Sequence, residues 1–172
     1  MSQAAKPVGP QRYRETFGRY YEDFVVGDVY EHRPGRTISE TDNTWFTLLT
    51  MNTHPLHFDA EYGKASEFGK CIVASPLTLA ILVGMSVTDV SQKAIANMGW
   101  KDIRMTAPVF AGDTLYGESE VLEKRESKSR PTAGLVTVRT IGKNQDGKVV
   151  CEFERTVLVA KRGHAVEDKM NY

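Results

Sequence analysis

Residues 75–87 read Ser-Pro-Leu-Thr-Leu-Ala-Ile-Leu-Val-Gly-Met-Ser-Val. A Ser ahead of a Pro at the first helical position starts a helix. Leu77, Leu79, Ala80, Ile81, Leu82, Val83, Met85 and Val87 then make it apolar nearly all the way round, and the pattern predicts a helix to about residues 89–93. Such a helix must be buried on most sides. The longest apolar stretch, 77–83, is far short of the roughly 20 residues that span a bilayer, so protein has to cover it. The covering material follows it in the chain. Strands are predicted over 100–108, 114–125, 134–142 and 148–160, with Asn144-Gln145-Asp146-Gly147 as a hairpin turn. Helices and strands in separate blocks specify an α+β domain, and one buried helix with one curved sheet suggests a sheet wrapped round the helix.

The chain ahead of residue 75 is more broken. A Gly27-Asp28 turn precedes a strand around residues 29–34. Ser39-Glu40-Thr41-Asp42 opens a helix that Ser39 or Thr37 can cap, and whose apolar face is expected to be Trp45, Phe46, Leu48 and Leu49. It should stop near residues 50–52, because Pro55 biases His54 away from helical angles. A second short helix is expected from Asp59 to about residue 67, ended by Gly69. Residues 1–10 are rich in small, polar and proline residues and read as loose. The resulting division is a flexible arm over 1–19, one domain over 20–162 and a tail over 163–172.

Composition removes several function classes. With 22 basic and 22 acidic residues among 172, the net charge is zero, which argues against nucleic acid as a partner. The basic start lacks an apolar signal region, and Cys71 and Cys151 form no Cys-x-x-Cys pair. The expectation is a cytoplasmic protein with reduced core cysteines, no metal, no cofactor and no membrane contact.

Asn52-Thr53-His54-Pro55-Leu56-His57-Phe58-Asp59 is the densest polar cluster. A Pro-stiffened loop holding His suits acid–base work, since His titrates near neutrality. Spacing alone favours a structural account, with Asn52 as a C-cap, Asp59 as an N-cap and both His bonded to loop carbonyls. The helix start at Ile72-Val73-Ala74-Ser75 offers free N–H groups that could hold a developing oxyanion, as any helix start could.

Taken together, Asn52-x-His54-Pro55-Leu56-His57-x-Asp59, then Ile72-Val73-Ala74-Ser75, then Pro108-Val109-Phe110-Ala111-Gly112-Asp113-Thr114 resemble the MaoC-like dehydratases, including the (R)-specific enoyl-CoA hydratases. The resemblance spans residues 24–161. It implies the hot-dog fold, a homodimer or higher oligomer, acyl-CoA thioester substrates and no metal. His57 matches the family's catalytic His. Asn52 stands where the family has Asp, His54 where it has Asn, and Ser75 where it has a Gly whose N–H is the expected oxyanion donor.

The Asn at 52 leaves three possibilities, because an amide cannot take a proton as a carboxylate does. His57 acts alone, Asp59 or Glu61 supplies the carboxylate, or the chain binds thioesters without hydrating them. The pattern is closest to a subgroup that handles branched C5 dicarboxylyl-CoA compounds of the mesaconyl and itaconyl type. That implies a cation for the distal carboxylate, with Arg36, Arg104 and Arg139 as candidates, although surface pairing is the commoner fate of each. Lys124, Arg125, Lys128 and Arg130 could meet CoA phosphates, but Glu123 and Glu126 among them favour a solvated strand end. Trp45, Phe46 and Trp100 are expected in the core. His54, Asp59, Arg36, Arg104 and Arg130 are the expected substrate contacts, and His57, Asn52 and Ser75 the expected catalytic set. A hot-dog thioesterase and a non-catalytic CoA-thioester-binding protein are the rivals to a hydratase.

Overall fold

The chain runs β1 (Lys6–Gly9), β2 (Arg12–Arg14), β3 (Val29–Thr37), α1 (Glu40–Thr50), α2 (Ala60–Ala65), α3 (Ser75–Met85), β4 (Ala94–Met105), β5 (Thr114–Glu126), β6 (Ala133–Lys143), β7 (Val149–Ala160) and α4 (Val166–Met170). This computed structural model describes residues 5–170. Strands β3-β5-β6-β7-β4, in that order, form one antiparallel sheet. The sheet curves round α3, the hot-dog arrangement that the resemblance implies. Leu77 and Leu82 of α3 pack on Ile38, Val109, Leu115, Val150, Cys151 and Phe153. Leu82 lies so close to the sheet that a Cβ at Gly142 would sit 2.3 Å from its Cδ1, so any side chain at that strand position would push buried Leu82 aside. A second cluster, with Phe24, Val90, Val121, Val138 and Val157, fills the other end.

Polar groups are built into this interior. Fully buried His32 lies between Asp89 Oδ2 at 2.9 Å and Ser119 Oγ at 2.8 Å, and Ser119 Oγ is 2.7 Å from Thr140 Oγ1. The His32 hydrogen bond holds the Asp89 carboxyl below the usual carboxylate range, with help from Arg19. Burial pushes the Cys151 thiol up to about 11, so it is a thiol inside the core.

Several expectations are corrected. Ala74, not Ser75, is the N-cap of α3, with Ser75 and Pro76 inside the helix. The helix gives way to a π-helical turn over Val87–Ser91, and β4 starts earlier than the sequence suggested, at Ala94. Within the segment read as a loose arm, β1 and β2 pair as a hairpin across Gln11, whose φ is 54°. Ala80 and Gly84 are exposed, so α3 is covered on the sheet side only.

The larger inversion is at α1, where Trp45, Leu48 and Leu49 are 64, 74 and 78% exposed while Asn43 and Thr47 face inward. Phe46 alone of its expected apolar face packs against the core. Trp100 is also exposed, on edge strand β4. Among the described residues no helix is long and apolar enough to cross a membrane.

Candidate active site

The loop expected to carry the chemistry is fixed from both ends. At its front, Ser39 and Asp42 form a reciprocal capping box on α1, and the Ser39 backbone N–H holds the Asp42 carboxyl below the usual range. At the end of α1 the left-handed residue is Met51 (φ 56°), the C-cap. Asn52 instead accepts the His54 N–H through Oδ1 at 3.2 Å. Pro55–His57 is a single 3-10 turn, and His54 Nδ1 accepts the Leu56 N–H at 3.2 Å. Asp59 Oδ1 caps α2, accepting from the N–H groups of Glu61 and Tyr62 at 3.0 and 3.1 Å. His54, Asn52 and Asp59 therefore each carry a local backbone bond.

His57 differs. Its Nδ1 lies 3.0 Å from the Ile72 carbonyl oxygen. A carbonyl oxygen only accepts, so Nδ1 carries the proton and the neutral ring keeps its lone pair on Nε2. The ring lines a cleft of about 390 Å³ with Glu40, Thr44, Glu61, Lys64, Lys70 and Cys71. Burial, then the nearby Asp59 and Glu40 carboxylates, push the Cys71 thiol up, so it is no activated nucleophile. Contrary to the sequence reading, Cys71 is half-exposed rather than core.

The helix start was a weak signal in the sequence and is a stronger one in the structure. Val73 N–H donates to Val109 O at 2.8 Å, and Ala74 N–H to Asn43 Oδ1 at 2.9 Å. Pro76 has no N–H, and Leu77 and Thr78 N–H turn back to Ala74 O. Ser75 N–H is left without an acceptor among the described residues. Ser75 lines a cleft of about 300 Å³ together with Ile72, whose carbonyl holds His57.

The family model described as mesaconyl-CoA hydratase matches residues 11–171. The chain belongs to that family. It is 35% identical over 148 residues to a mesaconyl-CoA hydratase of Cereibacter sphaeroides, a match covering 86% of this chain and 43% of that protein. An (R)-specific enoyl-CoA hydratase of Rhodospirillum rubrum is 30% identical over 144 residues, 84% of this chain and 94% of that one. Among solved structures, a putative MaoC domain protein dehydratase from Chloroflexus aurantiacus aligns with TM-score 0.80 at 35% identity, over 84% of this chain and 41% of that one. The chain thus spans less than half the length of the mesaconyl-CoA hydratase it matches.

Within this family member the expected cations lie elsewhere. Arg36 pairs with Asp42 at 2.7 Å. Arg104 and Arg139 share Glu152, at 3.7 and 2.9 Å, on the sheet face turned away from α3. Arg130 sits in the exposed β5–β6 turn, separated from the Thr114 end by the 13 residues of β5, roughly 40 Å of strand. None of these four lines the cleft of His57.

Two residues were missed. Asn43, buried at 4% exposure, carries a hint in the sequence: the capping box sets the register of α1 and puts Asn43 and Thr47 on one face. Arg155 is 1% exposed, and its Nε and Nη1 have no partner among the described residues. Its hint is the alternation Cys151, Phe153, Arg155, Val157, which sets a cation on the apolar face of β7.

Proposed function

We propose that the chain hydrates 2-enoyl-CoA thioesters reversibly, with His57 as the acid–base group. One observation carries the reading: His57 is held through Nδ1 to Ile72 and, among the described residues, its Nε2 and the Ser75 N–H three residues beyond Ile72 are unclaimed. As water oxygen bonds to Cβ, Nε2 takes the water proton and the π electrons move onto the thioester oxygen. The Ser75 N–H at the positive end of α3 stabilises that enolate. The imidazolium then returns a proton to Cα. Asn52 Oδ1 accepts the His54 N–H and keeps a second lone pair, so both its oxygen and its amide N–H₂ can orient water. Glu61 and Glu40 line the His57 cleft, whereas Asp59 is engaged as a cap.

The substrate we infer is a branched C5 dicarboxylyl thioester, supported by the family and by the named relatives. Assay of mesaconyl-, itaconyl- and crotonyl-CoA tests it. Mesaconyl- or itaconyl-CoA is expected to exceed crotonyl-CoA in kcat/KM by at least about tenfold, which needs about 1.4 kcal/mol of differential transition-state binding. Equal or better activity on crotonyl-CoA would reduce the substrate to a simple enoyl-CoA. Release of free CoA thiol would make it a thioesterase, and binding without turnover a carrier.

We also propose a homodimer in the cytoplasm. Strand β4 is a 12-residue edge with Ile95, Met98, Trp100 and Ile103 exposed, the kind of edge that pairs if left open. The second copy would stand where the longer relatives have their additional chain. Sedimentation at micromolar concentration should give a dimer or larger species; an active monomer would refute this.

A further inference from the structure

Asn43 makes three hydrogen bonds from one buried side-chain amide. Its Nδ2 donates to the carbonyl of His57 at 2.8 Å and to that of Ile72 at 3.0 Å, and its Oδ1 accepts the Ala74 N–H at 2.9 Å. The Ile72 carbonyl is the same group that takes His57 Nδ1–H. Both ends of the bond that orients the imidazole are therefore pinned by Asn43, one through the backbone of His57 and the other through Ile72 O. The third bond occupies Ala74 N–H, so that at the head of α3 only Ser75 N–H has no acceptor among the described residues and can face a ligand. An amide is suited to this task, since only Asn or Gln presents two N–H donors and a carbonyl acceptor from one planar group. Asn43 comes from α1, thirty-one residues before Ala74, and so joins three separate segments at one point.

We infer that Asn43 is a positioning residue: it fixes the tautomer and aim of His57 and leaves Ser75 N–H as the free donor. This rests on His57 being the acid–base group, and the test reads the two ideas separately. ¹⁵N NMR of histidine-labelled protein reports the His57 tautomer whether or not the protein turns over, and hydration of crotonyl-CoA and mesaconyl-CoA reports activity.

In the wild type His57 should be the Nδ1–H tautomer. In Asn43→Ala the tautomer should become mixed, and kcat should fall by about 10²-fold, the scale of an ångström-sized misplacement, with KM within about threefold. Asn43→Asp keeps the side-chain length and the acceptor for Ala74 but loses both donors. It is the variant that decides if Asn43→Ala does not fold, and it should show the same mixed tautomer. A folded variant of either kind with His57 still in the Nδ1–H form and wild-type kcat would overturn the role. A wild type that fails to hydrate either thioester would sink the proposed activity, while the tautomer comparison would still decide what Asn43 does.

Discussion

His57→Asn is expected to lower kcat for enoyl-CoA hydration by at least about 10²-fold, the usual scale of a general acid–base group, with KM little changed. Asn is the informative replacement. Its amide N–H₂ can occupy the place of Nδ1–H and donate to the Ile72 carbonyl, now 3.0 Å from the ring, so the loop should keep its shape. What it lacks is a nitrogen that exchanges a proton near neutral pH. His57→Ala should lose as much rate and, in addition, leave Ile72 O bonded to Asn43 alone. Circular dichroism and the thermal midpoint separate the two effects. A folded His57→Asn protein with near-normal turnover would remove His57 from the chemistry and move attention to Glu61 and Glu40, the carboxylates of the same cleft.

How much of this was legible beforehand depended on where the constraint came from. The presence of α3, the Asn144–Gly147 turn, the start of α1 and the cap at Asp59 were readable, though not the N-cap, end or one-sided burial of α3, because periodicity, Pro, Gly and side-chain caps act over a few residues. The orientation of α1 was not. Its apolar residues Trp45, Leu48 and Leu49 suggested an inward face, yet the helix turns Asn43 and Thr47 inward. The reason is that α1 packs against loop backbone at His57, Ile72 and Ala74, which needs hydrogen-bonding groups rather than hydrocarbon. Sequence patterning reports burial against side chains well and burial against bare backbone poorly. The arginines divide differently. Arg36, Arg104 and Arg139 were candidates only because the resemblance implies a cation, and each has the commoner fate, a carboxylate across a turn or a strand pair. Arg155 drew no notice, and it is the one that the fold encloses without an ion pair among the described residues.

That enclosure has a cost that can be measured. Arg155 Nη2 donates to Ser86 Oγ at 2.8 Å, while Nε and Nη1 are buried and have no partner among the described residues. Burial pushes its guanidinium down to about 10. The folded state thus binds this proton less well than the unfolded state does. The resulting penalty is present in full at every pH below about 10, and is relieved only as pH rises through that value. An uncompensated buried charge of this kind costs several kcal/mol. Met has a similar length, no charge and no N–H to satisfy, and apolar neighbours such as Phe153 and Val157 flank the position on the same strand face. Arg155→Met should therefore stabilise the folded chain by about 1–4 kcal/mol. In a domain of this size that raises Tm by roughly 2–4 °C per kcal/mol. The urea midpoint should rise with the slope unchanged. Part of the gain is offset, because Ser86 Oγ loses its donor from Arg155 but keeps its own bond to Val83 O at 2.7 Å. A variant that melts lower than the wild type would contradict the argument, and would mean that in the assembled protein the guanidinium meets a carboxylate from outside this chain.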